Sequence, residues 1–565
     1  MIKQFSGSQM ISEALHEEGV EIVFGYPGGA ALNIYDETYK QTYFKHVLVR
    51  HEQAAVHAAD GYARVSGKVG VAFVTSGPGF TNAVTGLATA YSDSIPVVLI
   101  SGQVPTFMIG TDAFQEIDAV GISRPCVKHN FLVNSVEELP RIIKEAFYIA
   151  RSGRPGPVHI DIPKNVTSRL GDFVYPKEIS IPSYKPTYKG NSKQIKKAAA
   201  AINEAKRPLL YIGGGAVASN ASEIIRKFMK KTGIPAVETL MALGVLDAKD
   251  KLNLGMAGMH GSYASNMALS ECDLLISLGA RFCDRVTGRT DEFAKHAKII
   301  HIDIDPSSIS KIINAHYPIV GDLTNVLSEL YEEVKGEPKN YAPWREILDR
   351  YQKLNPLGYT DSDKVLKPQW VVEETAKIVG PETIIATDVG QHQMWVAQFY
   401  PFNRARQLVT SGGLGTMGYG LPAAIGAKCA MPEHLVVNFT GDGSILMNIQ
   451  ELMTAYETNV PVINIILNNN FLGMVRQWQT FFYEKRYSST DLSLQPDFVK
   501  IAEGFGGVGF VCKSKDEFKK ALKEAIKSKK SALIDVRIDR FEDVLPMVPA
   551  GAAIYNMILK SKEEK

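Results

Sequence analysis

Apolar runs of strand length alternate with helical stretches along the whole chain. Within each run the apolar residues are continuous rather than alternating, which is typical of strands covered on both faces of a parallel sheet. The clearest runs predict strands at Glu21–Tyr26, Val69–Thr75, Pro96–Ser101, Pro208–Ile212, Leu274–Leu278, Ile299–Ile304, Leu435–Thr440 and Val462–Leu467. The pattern therefore predicts an α/β protein built from parallel sheets.

One part of the chain resembles another. Thr75–Ile100 aligns without a gap on Thr440–Ile465, and both segments contain Thr-Ala-Tyr followed by Pro-Val in the same register. Each copy reads as a strand end, a glycine-containing turn, a helix and a second strand. We expect two related α/β domains with a different domain between them.

Composition indicates where the domains end. Gly171–Asn191 is polar and contains three prolines, so it is predicted to be a linker, and Lys335–Lys367 is predicted to be a second connector. The charged end, Lys560–Lys565, is expected to fray. The predicted units are residues 1–171, 190–335 and 367–548, followed by a C-terminal tail, 549–565.

The overall composition excludes several classes of protein. Hydrophobic residues make up 45% of the 565 positions and charged residues 22%, and the net charge is +2, so nucleic acid is not expected as a main partner. Five cysteines without CxxC spacing favour reduced thiols over disulfides or a zinc site. We expect neither a signal peptide nor a membrane span, and a cytoplasmic location.

Two short polar segments each follow a predicted buried strand. Gly441-Asp442-Gly443 follows one strand, and Asn469 follows the next. Because the carboxyl ends of parallel strands meet at one crevice, we expect Asp442 and Asn469 to lie together. Carboxylate and amide oxygens suit Mg²⁺, which completes its shell with phosphate oxygens, and the following helix offers N–H groups to the anion. Either segment alone would be an ordinary turn or strand end.

Three further residues have ordinary explanations when each is taken alone. Glu52 opens an alanine-rich helix, and helix N-termini favour acidic residues in any case. His392 begins another predicted helix after the strand Thr383–Thr387. Met417 lies in a glycine-rich segment and would by itself be core packing.

Taken together, these motifs resemble the thiamine-diphosphate enzymes, whose signature begins Gly-Asp-Gly and ends Asn-Asn. The resemblance implies that Glu52 activates the cofactor through its pyrimidine ring and that Asp442 and Asn469 bind Mg²⁺. It implies three doubly wound domains, of which the first and third bind thiamine diphosphate across the boundary of a homodimer or a multiple of it. The other implied cofactor contacts are Pro27, Gly390, Gln391, His392, Gly415, Met417, Gly443, Ser444, Met474 and Val475.

Within these enzymes the chain most resembles the acetohydroxyacid synthases, through segments that include Gly279–Gly288 and Gly473–Trp478. This resemblance implies decarboxylation of pyruvate and transfer of the hydroxyethyl carbanion to a second 2-keto acid, pyruvate or 2-ketobutyrate, in branched-chain amino acid biosynthesis. It also implies a small regulatory subunit. The implied catalytic residues are Gln115 and Lys164 besides Glu52, and the implied substrate contacts are Phe114, Arg285 and Trp478.

The middle domain contains Gly213-Gly214-Gly215-Ala216-Val217-Ala218, which fits a dinucleotide-binding pattern but is weak alone. The resemblance implies a Rossmann-like domain that binds FAD without net redox work. Cys283 departs from the family, which often has an acid there, and we expect a buried, inert thiol rather than a reactive thiol near the flavin. The implied FAD contacts are Arg154, Gly213, Gly214, Gly215, Met259, His260, Gly261, Gly279, Arg281, Asp303 and Asp322.

Four competing interpretations remain. A thiamine flavoprotein oxidase is disfavoured by Trp478 and the segment Arg281–Gly288. A catabolic acetolactate synthase without flavin is disfavoured by the FAD positions, and glyoxylate carboligase by Glu52, which that enzyme lacks. A non-catalytic binding protein is disfavoured because Glu52, Asp442 and Asn469 are all present.

Overall fold

The computed structural model describes residues 3–336 and 341–561. It contains three six-stranded sheets, each parallel throughout, and one two-stranded antiparallel sheet. The predicted α/β class is therefore confirmed. All the strands predicted from apolar runs are present, with ends that differ by no more than two residues.

The first domain contains the large sheet β3-β2-β4-β5-β7-β6, while β1 pairs with β8. Its strands are β1 (Lys3–Ser6), β2 (Ile22–Gly25), β3 (Lys45–Leu48), β4 (Gly70–Val74), β5 (Val97–Gln103), β6 (His129–Leu132), β7 (Val158–Pro163) and β8 (Leu170–Phe173). Its helices are α1 (Gly7–Glu17), α2 (Leu32–Lys40), α3 (Glu52–Ser66), α4 (Pro78–Asp93), α5 (Ala119–Ser123), α6 (Leu139–Arg151) and α7 (Lys164–Ser168).

The middle domain has the strand order β11-β10-β9-β12-β13-β14, in which successive strands are added first on one side of β9 and then, from β12 onwards, on the other, so that the strand order reverses between β9 and β12. Its strands are β9 (Pro208–Ile212), β10 (Ala236–Glu238), β11 (Asn253–Met256), β12 (Leu274–Leu278), β13 (Lys298–Asp303) and β14 (Tyr317–Val320). Its helices are α8 (Ser192–Glu204), α9 (Gly214–Ala218), α10 (Ser222–Thr232), α11 (Tyr263–Glu271), α12 (Asp284–Thr287), α13 (Leu323–Glu333) and α14 (Ala342–Leu354).

The third domain has the order β16-β15-β17-β18-β20-β19, which repeats the topology of the first large sheet strand for strand. This shared order supports the predicted duplication. Its strands are β15 (Ile384–Thr387), β16 (Leu408–Val409), β17 (Val436–Thr440), β18 (Ile463–Asn468), β19 (Val508–Cys512) and β20 (Ala532–Arg537). Its helices are α15 (Pro368–Val379), α16 (Gln391–Phe399), α17 (Gly420–Ala430), α18 (Glu451–Glu457), α19 (Gly473–Phe482), α20 (Phe498–Gly504) and α21 (Lys515–Ser528).

The predicted connectors are more structured than their composition indicates. The linker prediction is wrong at its start, because Gly171 lies in β8 and pairs with Phe5 of β1. The second connector contains α14, whose buried Trp344 donates a hydrogen bond from Nε1 to the Pro208 carbonyl at 3.0 Å. In the predicted tail, Ile554 is buried against the middle domain, whereas residues 562–565 lie outside the described residues.

Two helices join the first and third domains. α3 packs against α17 at a distance that only glycine allows, because a Cβ added to Gly61 would lie 2.1 Å from the Ala423 carbonyl oxygen. On the opposite helix, a Cβ added to Gly426 would lie 1.8 Å from the Ala58 carbonyl oxygen. The helix that begins with Glu52 is therefore held directly on the third domain of its own chain.

Candidate active site

Glu52 is the first residue of α3 and is only 9% exposed. The helix starts here because His51 is extended and its Nδ1 accepts the Gln53 amide at 3.2 Å. Asn82 of α4 donates from Nδ2 to Glu52 Oε2 at 3.0 Å, and Oε1 has no hydrogen-bond partner among the described residues. A largely buried carboxyl group with one free oxygen is suited to exchanging a proton with a ligand.

The loop after β5 brings Gln115 towards the turn at Gly77, which precedes α4, the helix that carries Asn82. Gln115 has a left-handed backbone (φ +60°), and its carbonyl oxygen would lie 2.7 Å from a Cβ on Gly77. Two residues further on, a Cβ on Gly79 would lie 3.3 Å from Glu52 Oε1. Phe114 points outwards and is 86% exposed. This side of the site is therefore open to solvent in the single chain.

Two other predicted residues lie at the carboxyl ends of strands in the first large sheet. Pro27 follows β2 and is exposed. Lys164 follows β7 and begins α7, where its carbonyl oxygen accepts a hydrogen bond from Asn33 Nδ2 at 3.3 Å. The topology thus places both at the sheet edge at which α3 begins.

Asp442 lies just beyond β17, at the carboxyl edge of the third-domain sheet, and is 2% exposed. Its Oδ2 accepts a hydrogen bond from Gln495 Nε2, and Gln495 also bonds Asn468 in both directions, at 2.8 and 3.2 Å. Burial raises the pKa of Asp442 to about 7. A carboxyl group in such a dry position favours a bound cation strongly.

Asn469 lies at the end of the neighbouring strand, as predicted. Its Nδ2 donates to Gln391 Oε1 at 3.0 Å, and its Oδ1 accepts the Phe471 amide at 3.1 Å. Gln391 in turn donates to Gln477 Oε1 at 2.8 Å. No group of three His, Cys, Asp or Glu side chains able to hold a metal occurs in the described ranges. A metal here would therefore need the oxygen of Asn469 and a ligand's own oxygens in addition to Asp442.

The turn Gly441–Ser444 and the start of α16 form the next part of this edge. Ser444 Oγ accepts the Gly441 amide at 3.1 Å, and a Cβ on Gly441 would lie 3.0 Å from His392 Nδ1. His392 is buried, its Nε2 has no partner among the described residues, and burial lowers its pKa to about 3. Gly390 immediately precedes α16, so His392 offers a neutral, unpaired nitrogen at a helix N-terminus.

The glycine-rich segment that carries Gly415 and Met417 is fixed at both ends. At its start, Asp93 of the first domain accepts the amides of Gly412 and Gly413 at 2.9 and 2.7 Å. At its end, Asp388 accepts the amide of Gly418 at 2.8 Å. Burial raises the pKa of Asp388 to about 6. Gly415 is exposed and Met417 half-buried between these two anchors.

α19 follows Asn469 closely and carries three of the predicted residues. Met474 packs against the third-domain core, Val475 is 50% exposed, and Trp478 is half-buried with its ring 5.2 Å from that of Phe482. These three side chains give α19 an apolar surface next to Asn469, one of the two residues implied to bind Mg²⁺.

Arg285 lines a cavity of about 140 Å³ between α12 and the segment Val548–Gly551. Its Nη1 lies 3.3 Å from Met259 Sδ, and its nearest acid, Asp284, is 3.9 Å away. The Arg285 side chain is 62% exposed, and its guanidinium is not engaged in a close ion pair. The expectation that Cys283 is buried is wrong, because this free thiol is half-buried, and its inertness stays a prediction.

Several of the predicted flavin residues lie along the carboxyl edge of the middle sheet. Gly213 and Gly215 follow β9 and pack backbone against backbone on Gly279, which follows β12. These two strands flank the point at which the strand order reverses, where ligands bind in this architecture. Asp303 ends β13, burial raises its pKa, and Asp322 caps α13 through the Asn325 amide.

The remaining flavin candidates surround this edge from other elements. Arg154 of the first domain donates to Ser94 Oγ at 2.8 Å and pairs with Asp305 at 3.3 Å. His260 is buried, burial lowers its pKa to about 4, and its carbonyl accepts from Gln398 at 2.9 Å. The other candidates are Gly214 in α9, Met259 and Gly261 in the loop after β11, and the exposed Arg281 after β12.

Residues that were not predicted complete the site. Asn82, Gln495 and Gln477 each donate or accept a hydrogen bond with a predicted residue or its neighbour. Gln477 lies in the family-like segment Gly473–Trp478 but was not singled out there, and Asn82 and Gln495 lie in no segment that carries the resemblance. Only the position of Asn82, early in the helix that follows the turn at Gly77, could have indicated it from the sequence.

Glu52 belongs to the first domain, whereas Asp442 and Asn469 belong to the third. Among the described residues, no hydrogen bond joins Glu52 to Asp442 or Asn469. Three parallel-sheet domains with a buried helix-start glutamate in the first and an acid–amide pair in the third define a thiamine-diphosphate enzyme. Comparison with known families agrees: the N-terminal, central and C-terminal thiamine pyrophosphate enzyme models match residues 5–122, 195–330 and 388–536.

Individual relatives define the family more closely. The chain is 48% identical to the acetolactate synthase large subunit of Haemophilus influenzae and 46% identical to the isozyme 3 large subunit of Escherichia coli, each over 100% of both chains. It is 49% identical to the probable acetolactate synthase large subunit of Methanocaldococcus jannaschii, over 98% of this chain and 95% of the relative. The chain belongs to the acetolactate synthase large-subunit family.

Proposed function

We propose that this chain condenses two 2-keto acids: pyruvate with itself to give 2-acetolactate, and pyruvate with 2-ketobutyrate to give 2-aceto-2-hydroxybutyrate, both for branched-chain amino acid biosynthesis. Bound thiamine diphosphate supplies the carbanion chemistry that releases CO₂ and forms the new carbon–carbon bond. The observation that carries the proposal is the buried Glu52, held through one oxygen by Asn82, in a chain that matches acetolactate synthase large subunits from end to end.

Glu52 would move the proton that activates the cofactor, through its free oxygen Oε1. In the third domain, the helix N-terminus at Gly390 and the unpaired His392 nitrogen suit a diphosphate, which is an anion that accepts hydrogen bonds. The residues we propose to contact the cofactor are Pro27, Glu52, Gly390, Gln391, His392, Gly415, Met417, Asp442, Gly443, Ser444, Asn469, Met474 and Val475.

Asp442 and Asn469 would hold Mg²⁺ between the protein and the diphosphate. The donors fit this ion, because both are hard oxygen ligands and Asp442 is buried where a cation offsets its desolvation. Gln495 and Gln391 would orient the two ligands through their present hydrogen bonds.

Replacing Gly473 with alanine tests this metal proposal. A Cβ at this position would lie 2.1 Å from Gln391 Oε1 and 2.7 Å from Asn469 Nδ2, so both side chains must move. Disturbing groups that orient a ligand commonly weakens metal binding 10- to 100-fold, and we expect the half-saturating Mg²⁺ concentration to rise by about that factor. The measurement is a Mg²⁺ titration, monitored by calorimetry, of the protein in the presence of thiamine diphosphate.

Gly504→Ala is the matched control. Gly504 also lies in the third domain, and nothing lies within 4 Å of an added Cβ. We expect its Mg²⁺ titration to match that of the unaltered protein. Equal titrations for both variants would show that Asn469 does not bind the metal.

FAD would occupy the carboxyl edge of the middle sheet. The close backbone contact of Gly213 and Gly215 with Gly279 keeps this edge free of side chains, and Arg154 adds a positive charge from the first domain. We assign no redox step to it. The proposed contacts are Arg154, Gly213, Gly214, Gly215, Met259, His260, Gly261, Gly279, Arg281, Asp303 and Asp322.

Arg285 would bind the carboxylate of the second 2-keto acid. Its guanidinium faces a cavity and has no acid within 3.5 Å in the described structure, so its paired donors are available for a planar carboxylate. Phe114 and Trp478 would shape the apolar side of this pocket, and Gln115 and Lys164 would assist catalysis.

A homodimer, or a multiple of it, would complete the site. Large apolar side chains next to half-site residues are exposed, including Phe114, Leu414, Met447 and Val475. Such exposure is typical of a surface that another copy covers.

The large-subunit names of the relatives support a small regulatory partner. No described helix is long and apolar enough to span a membrane. The location we propose is the cytoplasm.

The decisive experiment incubates the purified protein in phosphate buffer with pyruvate, thiamine diphosphate, Mg²⁺ and FAD, with and without oxygen. We expect acetolactate at equal rates under both conditions, because the condensation of two keto acids consumes no oxidant. Acetyl phosphate with peroxide, formed only under air, would assign the chain to the oxidases. Free acetaldehyde as the main product would make it a decarboxylase.

A further inference from the structure

A buried carboxylate of the third domain reaches the backbone just before Glu52. Glu451 is the first residue of α18 and is 0% exposed. Its Oε1 and Oε2 accept the amide of Arg50 at 3.0 and 3.2 Å. Thr454, one turn further along α18, donates from its hydroxyl to Glu451 Oε2 at 2.6 Å. Both carboxylate oxygens are thus directed at a neighbouring domain.

The amide that Glu451 binds belongs to the turn that starts α3. Arg50 is followed by His51, the residue that caps α3, and then by Glu52 itself. The Thr454 hydroxyl also lies 3.3 Å from the carbonyl oxygen of Leu48, the last residue of β3. α18 therefore holds both the end of the strand and the entry into the helix, and it leaves the Glu52 carboxyl group untouched.

The chemistry of this contact is unusual for simple packing between domains. Burial raises the pKa of Glu451 to about 7, and the bonds from Thr454 and the Arg50 amide only partly offset this. No lysine or arginine side-chain nitrogen lies within 4 Å of the Glu451 oxygens among the described ion pairs, and the charge of the Arg50 side chain, which pairs with Glu457, lowers the pKa of Glu451 only from further away. A carboxyl group is costly to bury without a counter-charge in direct contact, whereas an apolar side chain would pack two helices at no such cost.

We propose that Glu451 is a positioning residue for Glu52. The third domain of each chain fixes the turn Arg50–His51, and this sets where the Glu52 carboxyl group lies when the cofactor is bound. The inference rests on the proposed role of Glu52 in cofactor activation. Proton transfer depends steeply on the distance between the two groups, so a displacement of about 1 Å can lower turnover on the order of 100-fold.

The contact itself can be tested without cofactor. Hydrogen exchange of the cofactor-free protein, followed by mass spectrometry, reports the protection of the Arg50 amide. We expect Glu451→Leu to speed exchange at this amide, because leucine fills a similar space but accepts no hydrogen bond. Glu457→Leu is the matched control: Glu457 lies on the same helix and binds the Arg50 side chain at 2.5 Å, not its backbone. In Glu457→Leu the Arg50 amide should remain protected from exchange.

The functional consequence is tested on the assembled enzyme with thiamine diphosphate, Mg²⁺ and FAD. For Glu451→Leu we expect kcat and the rate of hydrogen–deuterium exchange at the thiazolium C2 of thiamine to fall together by about 10- to 100-fold. The dissociation constant for thiamine diphosphate should change less than about threefold, because Glu451 does not contact the cofactor. Glu457→Leu should leave all three quantities unchanged.

Glu451→Gln separates positioning from a loss of folding. It keeps one acceptor oxygen for the Arg50 amide, so we expect a smaller loss of C2 exchange than in Glu451→Leu. Equal losses in the two Glu451 variants, or C2 exchange in Glu451→Leu equal to that of Glu457→Leu, would overturn the proposal. An unaltered enzyme that shows no C2 exchange would instead refute the proposed function.

Discussion

Glu52→Gln is expected to lower turnover by about 10²- to 10⁴-fold, the usual contribution of a positioned acid–base group. Glutamine has nearly the same shape and can still accept the hydrogen bond from Asn82, so the start of α3 should not move. It cannot take up and release a proton between pH 5 and 9. The measurements are steady-state acetolactate formation and the affinity for thiamine diphosphate, which should stay within about twofold.

The control for this variant is a glutamate of the same domain that lies outside the site. Glu21 is 62% exposed and pairs with Lys68 at 2.7 Å, and surface pairs of this kind contribute little. Glu21→Gln should therefore retain full turnover. If Glu52→Gln retained turnover as well, a water molecule or another residue would have to activate the cofactor, and the proposed role of Glu52 would be wrong.

The sequence predicts the strands well because burial on both faces leaves continuous apolar runs. β9 and β12 have the predicted ends, since each run is bounded by residues that cannot continue it. The connectors could not be predicted in the same way. β8 forms only because Leu170–Phe173 meets β1 from the other end of the domain, and α14 is stabilised by Trp344 against the middle sheet. Neither contact is visible from local composition.

The residues of the site also fall into those that local sequence predicts and those that it does not. Asp442 and Asn469 could be predicted to lie on one edge because each follows a strand, and parallel topology brings strand ends together. Gln495 and Glu451 could not, since each reaches its partner through the tertiary fold, and Glu451 lies between the two ends of the signature rather than in either of them.

Arg64→Met is expected to destabilise the protein by about 3–5 kcal/mol, the usual cost of removing one partner from a buried ion pair. Arg64 is 5% exposed, and its guanidinium pairs with Asp60 at 2.5 Å and Asp93 at 2.7 Å. Tyr419 of the third domain donates to Asp60 at 2.5 Å. Methionine fills much of the space but leaves two buried acids without a counter-charge, at the point where the two cofactor domains meet.

Lys227→Met is the matched control, because Lys227 and Glu223 have the same four-residue spacing on a helix as Arg64 and Asp60. Their side chains are 61% and 80% exposed, and we expect no measurable change. The measurement is urea denaturation monitored by circular dichroism.

The stability of Arg64→Met should also depend on pH. Burial raises the pKa of Asp60, and Arg64 counteracts this. Without Arg64 the free energy of unfolding should therefore fall as the pH rises through the pKa of Asp60 in the folded protein. Equal losses in the two variants at every pH would mean that the α3–α17 packing alone, and not the charge network, holds the two domains together.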